Sequence, residues 1–79
     1  MKDYLKILIE SPNNDNQEIN VDFESTYMIE PLLRKVADTF KSINYNSEVT
    51  VSAMYHNSIS STYMECYEYR TIEDKFIIH

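Results

Sequence analysis

Residues 4–10 alternate Leu5, Ile7 and Ile9 with Tyr4, Lys6, Leu8 and Glu10. A period of two is that of a β-strand with one buried face. Leu8 on the second face predicts a central strand, partly covered on both sides. Ser11 to Gln17 (SPNNDNQ) reads as a polar turn. Residues 18–24 alternate more cleanly, with Ile19, Val21 and Phe23 inward and Glu18, Asn20, Asp22 and Glu24 outward. A hairpin between these two strands is the natural pairing.

The period then changes. Ile29, Leu32, Leu33, Val36, Ala37, Phe40 and Ile43 share one helical face. Pro31 belongs in a first turn, where its missing N–H has no intrahelical partner. A helix over 29–43 is predicted, approached by Ser25 to Met28 and ended by Asn44 to Asn46. A third strand, 48–55, places Val49, Val51, Ala53 and Tyr55 on one face. His56 to Ser61 (HNSISS) is a loop, and 62–71 is a fourth strand. There, simple alternation puts Met64 and Cys66 on one face and Tyr63, Tyr67 and Tyr69 on the other, so both faces are expected to be partly covered. The apolar end, Phe76, Ile77 and Ile78, fits either a short edge strand or a docking segment. The order ββ-α-ββ predicts one α+β domain over 1–79, an antiparallel sheet packed on one amphipathic helix. The sheet's other face is then solvated or bound by a partner.

Composition narrows the function classes. The 79 residues include 13 acidic and 7 basic side chains, for a net charge of −6. That balance disfavours direct nucleic-acid binding, whose affinity comes largely from neutralised phosphates. It suits a basic protein partner. No apolar run approaches the roughly 18 residues of a membrane span, and Asp3 and Lys6 interrupt any secretory leader. The single Cys66 permits no internal disulfide, in keeping with a cytoplasmic setting in a host cell. There is no glycine, so dinucleotide fingerprints, P-loops and Ca²⁺ loops cannot occur in their usual form. Tight hairpin turns must rely on Asn or Asp.

The charge is segregated. The predicted helix carries Glu30 and Asp38 against Arg34, Lys35 and Lys41, a net of +1, which leaves −7 on the strands and turns. Glu18, Asp22 and Glu24 fall on one face of one strand, where successive alternate positions lie about 6–7 Å apart. Glu10, Asp15, Glu65, Glu68, Glu73 and Asp74 could extend that surface. It is either a strip that meets a basic groove or a solvated face that keeps a small domain soluble. Tyr63, Tyr67 and Tyr69 offer rigid area with a hydroxyl, as interface cores do, or they simply cover the sheet. The candidate binding set is Asp22, Glu24, Glu65 and Glu68 for electrostatic steering, with Tyr67 and Tyr69 as anchors.

Chemical candidates are few. Cys66 would need an activating base, and the only imidazoles, His56 and His79, are not placed beside it by spacing. A buried structural thiol is the expectation. Asn13, Asn14, Asp15 and Glu18 have the composition of an oxygen-ligand loop without its spacing or its central glycine, and read as a turn. Glu65 and Glu68 fall on opposite faces of the predicted strand. Neither a metal nor a cofactor is expected, and no enzymatic activity.

Small size, acidity, Asn-rich turns and one helix against a short sheet resemble the small inhibitors of host defence carried by phages and mobile elements, the anti-CRISPR proteins in particular. The resemblance lies in composition and architecture and rests on no residue motif. It implies an inhibitor that occupies the basic surface of a nucleic-acid-binding effector. The alternative is a self-associating structural or regulatory module of a phage or mobile element, a homodimer formed through the tyrosine face or by edge pairing of the tail.

Overall fold

The computed structural model describes residues 3–12, 15–44 and 48–79, without the side chains of Asn44, Met64 and Glu65. Its elements are β1 (Tyr4–Glu10), β2 (Gln17–Asp22), a single 3₁₀ turn (Thr26–Met28), α1 (Ile29–Asn44), β3 (Thr50–Asn57), β4 (Thr62–Arg70) and β5 (Lys75–Ile78). The five strands form one antiparallel sheet in the order β2-β1-β3-β4-β5. The α+β class and the helix-on-sheet packing follow the hydrophobic pattern. The order differs by one element, because the apolar tail forms an edge strand beside β4. His56 and Asn57 extend β3 beyond the expected start of the loop. Asn13, Asn14 and Asn46 lie outside the described residues.

The core is a single layer between α1 and one sheet face. Ile29, Leu33, Ala37 and Phe40 of the helix pack on Leu5, Ile7 and Ile9 of β1, on Val49, Val51 and Ala53, and on Tyr67 and Tyr69 of β4. The helical stripe is therefore as read, except at its last position: Ile43 in the final turn is 69% exposed. One helix cannot cover five strands. It leaves an open groove on each flank, one over β1 and β2 and one over β4 and β5.

Side-chain bonds to the backbone close the turns of this glycine-free chain. Asn57 Oδ1 accepts from the N–H groups of Ile59 and Ser60, both at 3.0 Å, which is an Asx-type turn. Ser61 and Asp74 take the left-handed conformation, with φ of 57° and 49°, that glycine would otherwise supply. At the other end of the β3–β4 hairpin, Thr71 Oγ1 accepts from Val49 N–H at 2.9 Å and Thr71 N–H donates to Val49 O at 3.0 Å.

The register of β4 changes partway. Cys66 pairs with Met54 but Met64 pairs with Tyr55, so Glu65 is an extra residue without a partner on β3. An inserted residue reverses which face each later side chain takes. Tyr67 and Tyr69 face the helix, opposite Ala53 and Val51, whereas Tyr63 lies opposite His56 on the open face. The three tyrosines do not share a side. Simple alternation failed because a bulge has no signature in the pattern of apolar residues.

Candidate functional site

The residues singled out from the sequence do not assemble into one patch. Tyr67 and Tyr69 are 6% and 7% exposed and belong to the core, so they are not surface anchors. The Tyr69 hydroxyl donates to Asp74 Oδ1 at 2.9 Å, and its ring lies 4.7 Å beneath the Arg34 guanidinium. Glu68 is on β4, where Arg70 Nε donates to it. Three strand spacings, about 14 Å, separate β4 from β2, where Asp22 sits. The side chain of Glu65 lies outside the described residues. What survives of the acidic strip is the β2 edge. Asp15, Glu18, Asp22 and Glu24 are exposed there, and residues 15–28 contain no Lys or Arg. Glu18 is partly offset by Lys6 Nζ at 3.5 Å. Glu73 and Asp74 do not extend the strip: Glu73 accepts from Arg70 at 3.3 Å and Asp74 from Arg34 at 2.9 Å.

Two carboxylates hold the fold rather than face a partner. Asp3 accepts from the Tyr55 hydroxyl, from Ser58 N–H at 2.9 Å and from the Ser58 hydroxyl at 2.8 Å. The Tyr55 bond first, and then those from Ser58, keep its carboxyl below the ordinary 3.8. At the opposite side of the molecule the Tyr69 hydroxyl and then Arg34 do the same for Asp74. Hydrogen bonds to an ionised carboxylate favour that form. The sequence shows neither role, since Asp3 acts through partners more than fifty positions away and Asp74 ties Tyr69, five positions back, to Arg34, forty positions back.

The open face carries an aromatic row that was also unforeseen. Tyr4 stacks on His56 with ring centroids 4.5 Å apart, and Tyr63 meets the other side of His56 edge-on at 4.9 Å. The Tyr4 and Tyr63 hydroxyls are 3.3 Å apart, and Lys6 Nζ lies 5.5 Å from the Tyr63 centroid. This row exists only because of the bulge at Glu65.

Cys66 is exposed, not the buried thiol expected. It shares a shallow depression with Glu68 and His79. These are the residue types of a thiol relay, but the geometry is that of cross-strand neighbours. His79 N–H donates to Cys66 O at 2.8 Å, while the His79 imidazole stands 3.9 Å from Glu68, too far for a hydrogen bond. Among the described residues no hydrogen bond joins imidazole to thiol, and no group of His, Cys, Asp or Glu could hold a metal ion. No described helix is long and apolar enough to cross a membrane.

Exposed apolar side chains are spread over the surface, with Ile59 in the β3–β4 turn, Ile19 and Ile43 along the groove over β1 and β2, and Tyr27 and Ile78 beside β5. A groove of about 690 Å³ between the start of α1 and the β4–β5 edge is lined by Tyr27, Pro31, Tyr67, Phe76 and Ile78, with Glu30 and Arg34 at its rim. Tyr27 is 90% exposed and Ile78 66%. No family model matches the chain, and neither the curated proteins nor the solved structures provide a match.

Proposed function

We propose that the chain is a non-enzymatic, protein-binding inhibitor that covers the basic surface of a nucleic-acid-binding effector in a host cell, of the kind that serves CRISPR-type defence. The observation that carries this reading is the β2 edge. Four exposed carboxylates within ten residues, with no basic residue among them, lie on and beside β2, which among the described residues is an edge strand with β1 as its one neighbour. Asp22 and Glu24 are the steering residues of this reading. Glu68, Tyr67 and Tyr69 are removed from the set by their ion pairing and burial.

Exposed charges steer encounter and are screened beyond about 8–10 Å at physiological salt. The complex should therefore form quickly and weaken as salt rises. The test is capture of a partner from host lysate, eluted on a salt gradient, followed by competition with the partner's nucleic acid. Wild-type chain should displace the nucleic acid. The double variant Asp22→Lys, Glu24→Lys should remain folded and lose roughly tenfold or more in affinity, as two charge reversals of about 0.7 kcal/mol or more each would give. Equal affinity of the two proteins would overturn the reading.

A further inference from the structure

We propose that two copies of this chain associate through β5, paired antiparallel about a two-fold axis at Ile77, to give one continuous ten-stranded sheet. Three independent features lead there. The first is the direction of the backbone groups. His79 N–H donates to Cys66 O, which continues the β4–β5 register of Glu68 with Ile77 and Arg70 with Lys75. Every second residue of an antiparallel strand bonds to the same neighbour. Lys75, Ile77 and His79 therefore bond to β4, and the N–H and C=O groups of Phe76 and Ile78 point outward. Among the described residues no strand lies beyond β5.

The second feature is the pattern of side chains. Antiparallel pairing about Ile77 places Phe76 opposite Ile78 of the second copy, and Ile78 opposite its Phe76. These are the two residues with free outward groups, so each pair exchanges both main-chain bonds. Phe76 and Ile78 also lie on the helix face, where they line the apolar groove, so pairing joins the grooves of the two copies. On the open face Ile77 meets its own symmetry mate. No other register about this strand satisfies both the backbone directions and the two faces over as many residues.

The third feature is charge. Residues 70–79 contain two acidic and two basic residues, so this edge is electrically balanced in a chain of net charge −6. In the paired sheet the two acidic β2 edges lie at opposite ends, about 40 Å apart at nine strand spacings. That is several screening lengths, so the net charge does not oppose association. The contact is small, at the low end of interface sizes, and weak association is expected.

Sedimentation equilibrium between about 10 µM and 1 mM tests it. The wild-type mass should rise towards that of a dimer. Ile78→Pro removes an outward N–H without touching the β4 ladder and should shift the dissociation constant upward at least tenfold, with an unchanged circular-dichroism spectrum. Ile77→Cys in a Cys66→Ser background gives a test that survives any misfolding of the proline variant. Residues facing each other at a non-hydrogen-bonded antiparallel position lie about 4.5 Å apart between Cα atoms, within disulfide range. Mild oxidation should cross-link Ile77→Cys and not Ile72→Cys, although position 72 is the more exposed of the two. A wild-type monomer across the whole range, a dimer indifferent to Ile78→Pro, or cross-linking that does not distinguish positions 72 and 77 would each overturn the proposal. High salt should leave this association intact, which separates it from capture of a basic partner.

Discussion

The two edges of the sheet are built on the same core and manage their unpaired backbone in opposite ways. At β2 the hydrogen bond from Phe23 N–H to Asp3 O sets the phase, so Glu18, Asn20 and Asp22 direct their main-chain groups outward. Self-pairing about Asn20 would set Glu18 against Asp22 of a second copy. Like charges directly opposite destabilise a strand pair. At β5 the corresponding residues are Phe76 and Ile78, and self-pairing sets apolar against apolar. Charge on an edge is a common guard against unwanted strand addition. One edge is thus guarded and available for electrostatic contact, and the other is left open to its own kind. The difference comes from the side chains at two positions on each strand, not from the fold.

The largest expected effect removes the support common to both edges. Leu33 is fully buried at the centre of the helix–sheet layer, and Leu33→Ala should cost about 2–5 kcal/mol in urea unfolding. Both binding activities should fall together. A loss below about 1 kcal/mol would mean that the two halves do not depend on one core. The next largest effect exchanges the character of one edge. Glu18→Ile with Asp22→Ile should turn β2 into a second self-pairing strand and produce higher oligomers by light scattering at concentrations where the wild type forms at most dimers. A species no larger than a dimer would show that charge is not what guards β2.

The smallest effect separates the two stapling carboxylates by pH. Asp3 fastens the β1–β3 corner and Asp74 the β4–β5 turn, and each titrates below 3.8 in the folded chain. A depressed folded value means that the stabilisation is present above the unfolded value and is lost as pH falls through the folded one. Asp3→Asn and Asp74→Asn should each lower the urea midpoint at pH 7, and the gap to wild type should close as pH falls below 3.8. A gap that persists in acid would show that the oxygens act by geometry alone. Because Asp74 holds Tyr69 beside β5, its variant should also weaken self-association, whereas the Asp3 variant should not.

The parts of this molecule that were legible in the sequence are those set by local period. Ile29, Leu33, Ala37 and Phe40 announce their helix because four buried residues repeat at its turn, and Pro31 fixes where it begins. Leu5, Ile7 and Ile9 do the same for β1. The four residues of β5 are too few for alternation to speak, and Ile77 is apolar on the face where a polar residue would have settled the matter. Alternation groups Tyr67 and Tyr69 with Tyr63 on one face because it does not show the bulge that lies between them. The staples at Asp3 and Asp74 depend on which strand lies beside which, and that ordering is a property of the whole chain. The acidic residues of β2 are exposed, as the alternation predicts, whereas Glu68 pairs with Arg70, a contact that the spacing permits but alternation alone does not show.

The unpaired Glu65 has a consequence for how this chain can change its length. One residue more or fewer between Thr62 and Cys66 would exchange the wet and dry sides of half of β4, driving Tyr63 inward or Tyr67 outward. A substitution at position 65 leaves the phase of the strand untouched. Its deletion does not. Among lineages descended from this chain, position 65 should vary freely in identity and hardly at all in existence, so that its signature in an alignment is a column of mixed residues without gaps.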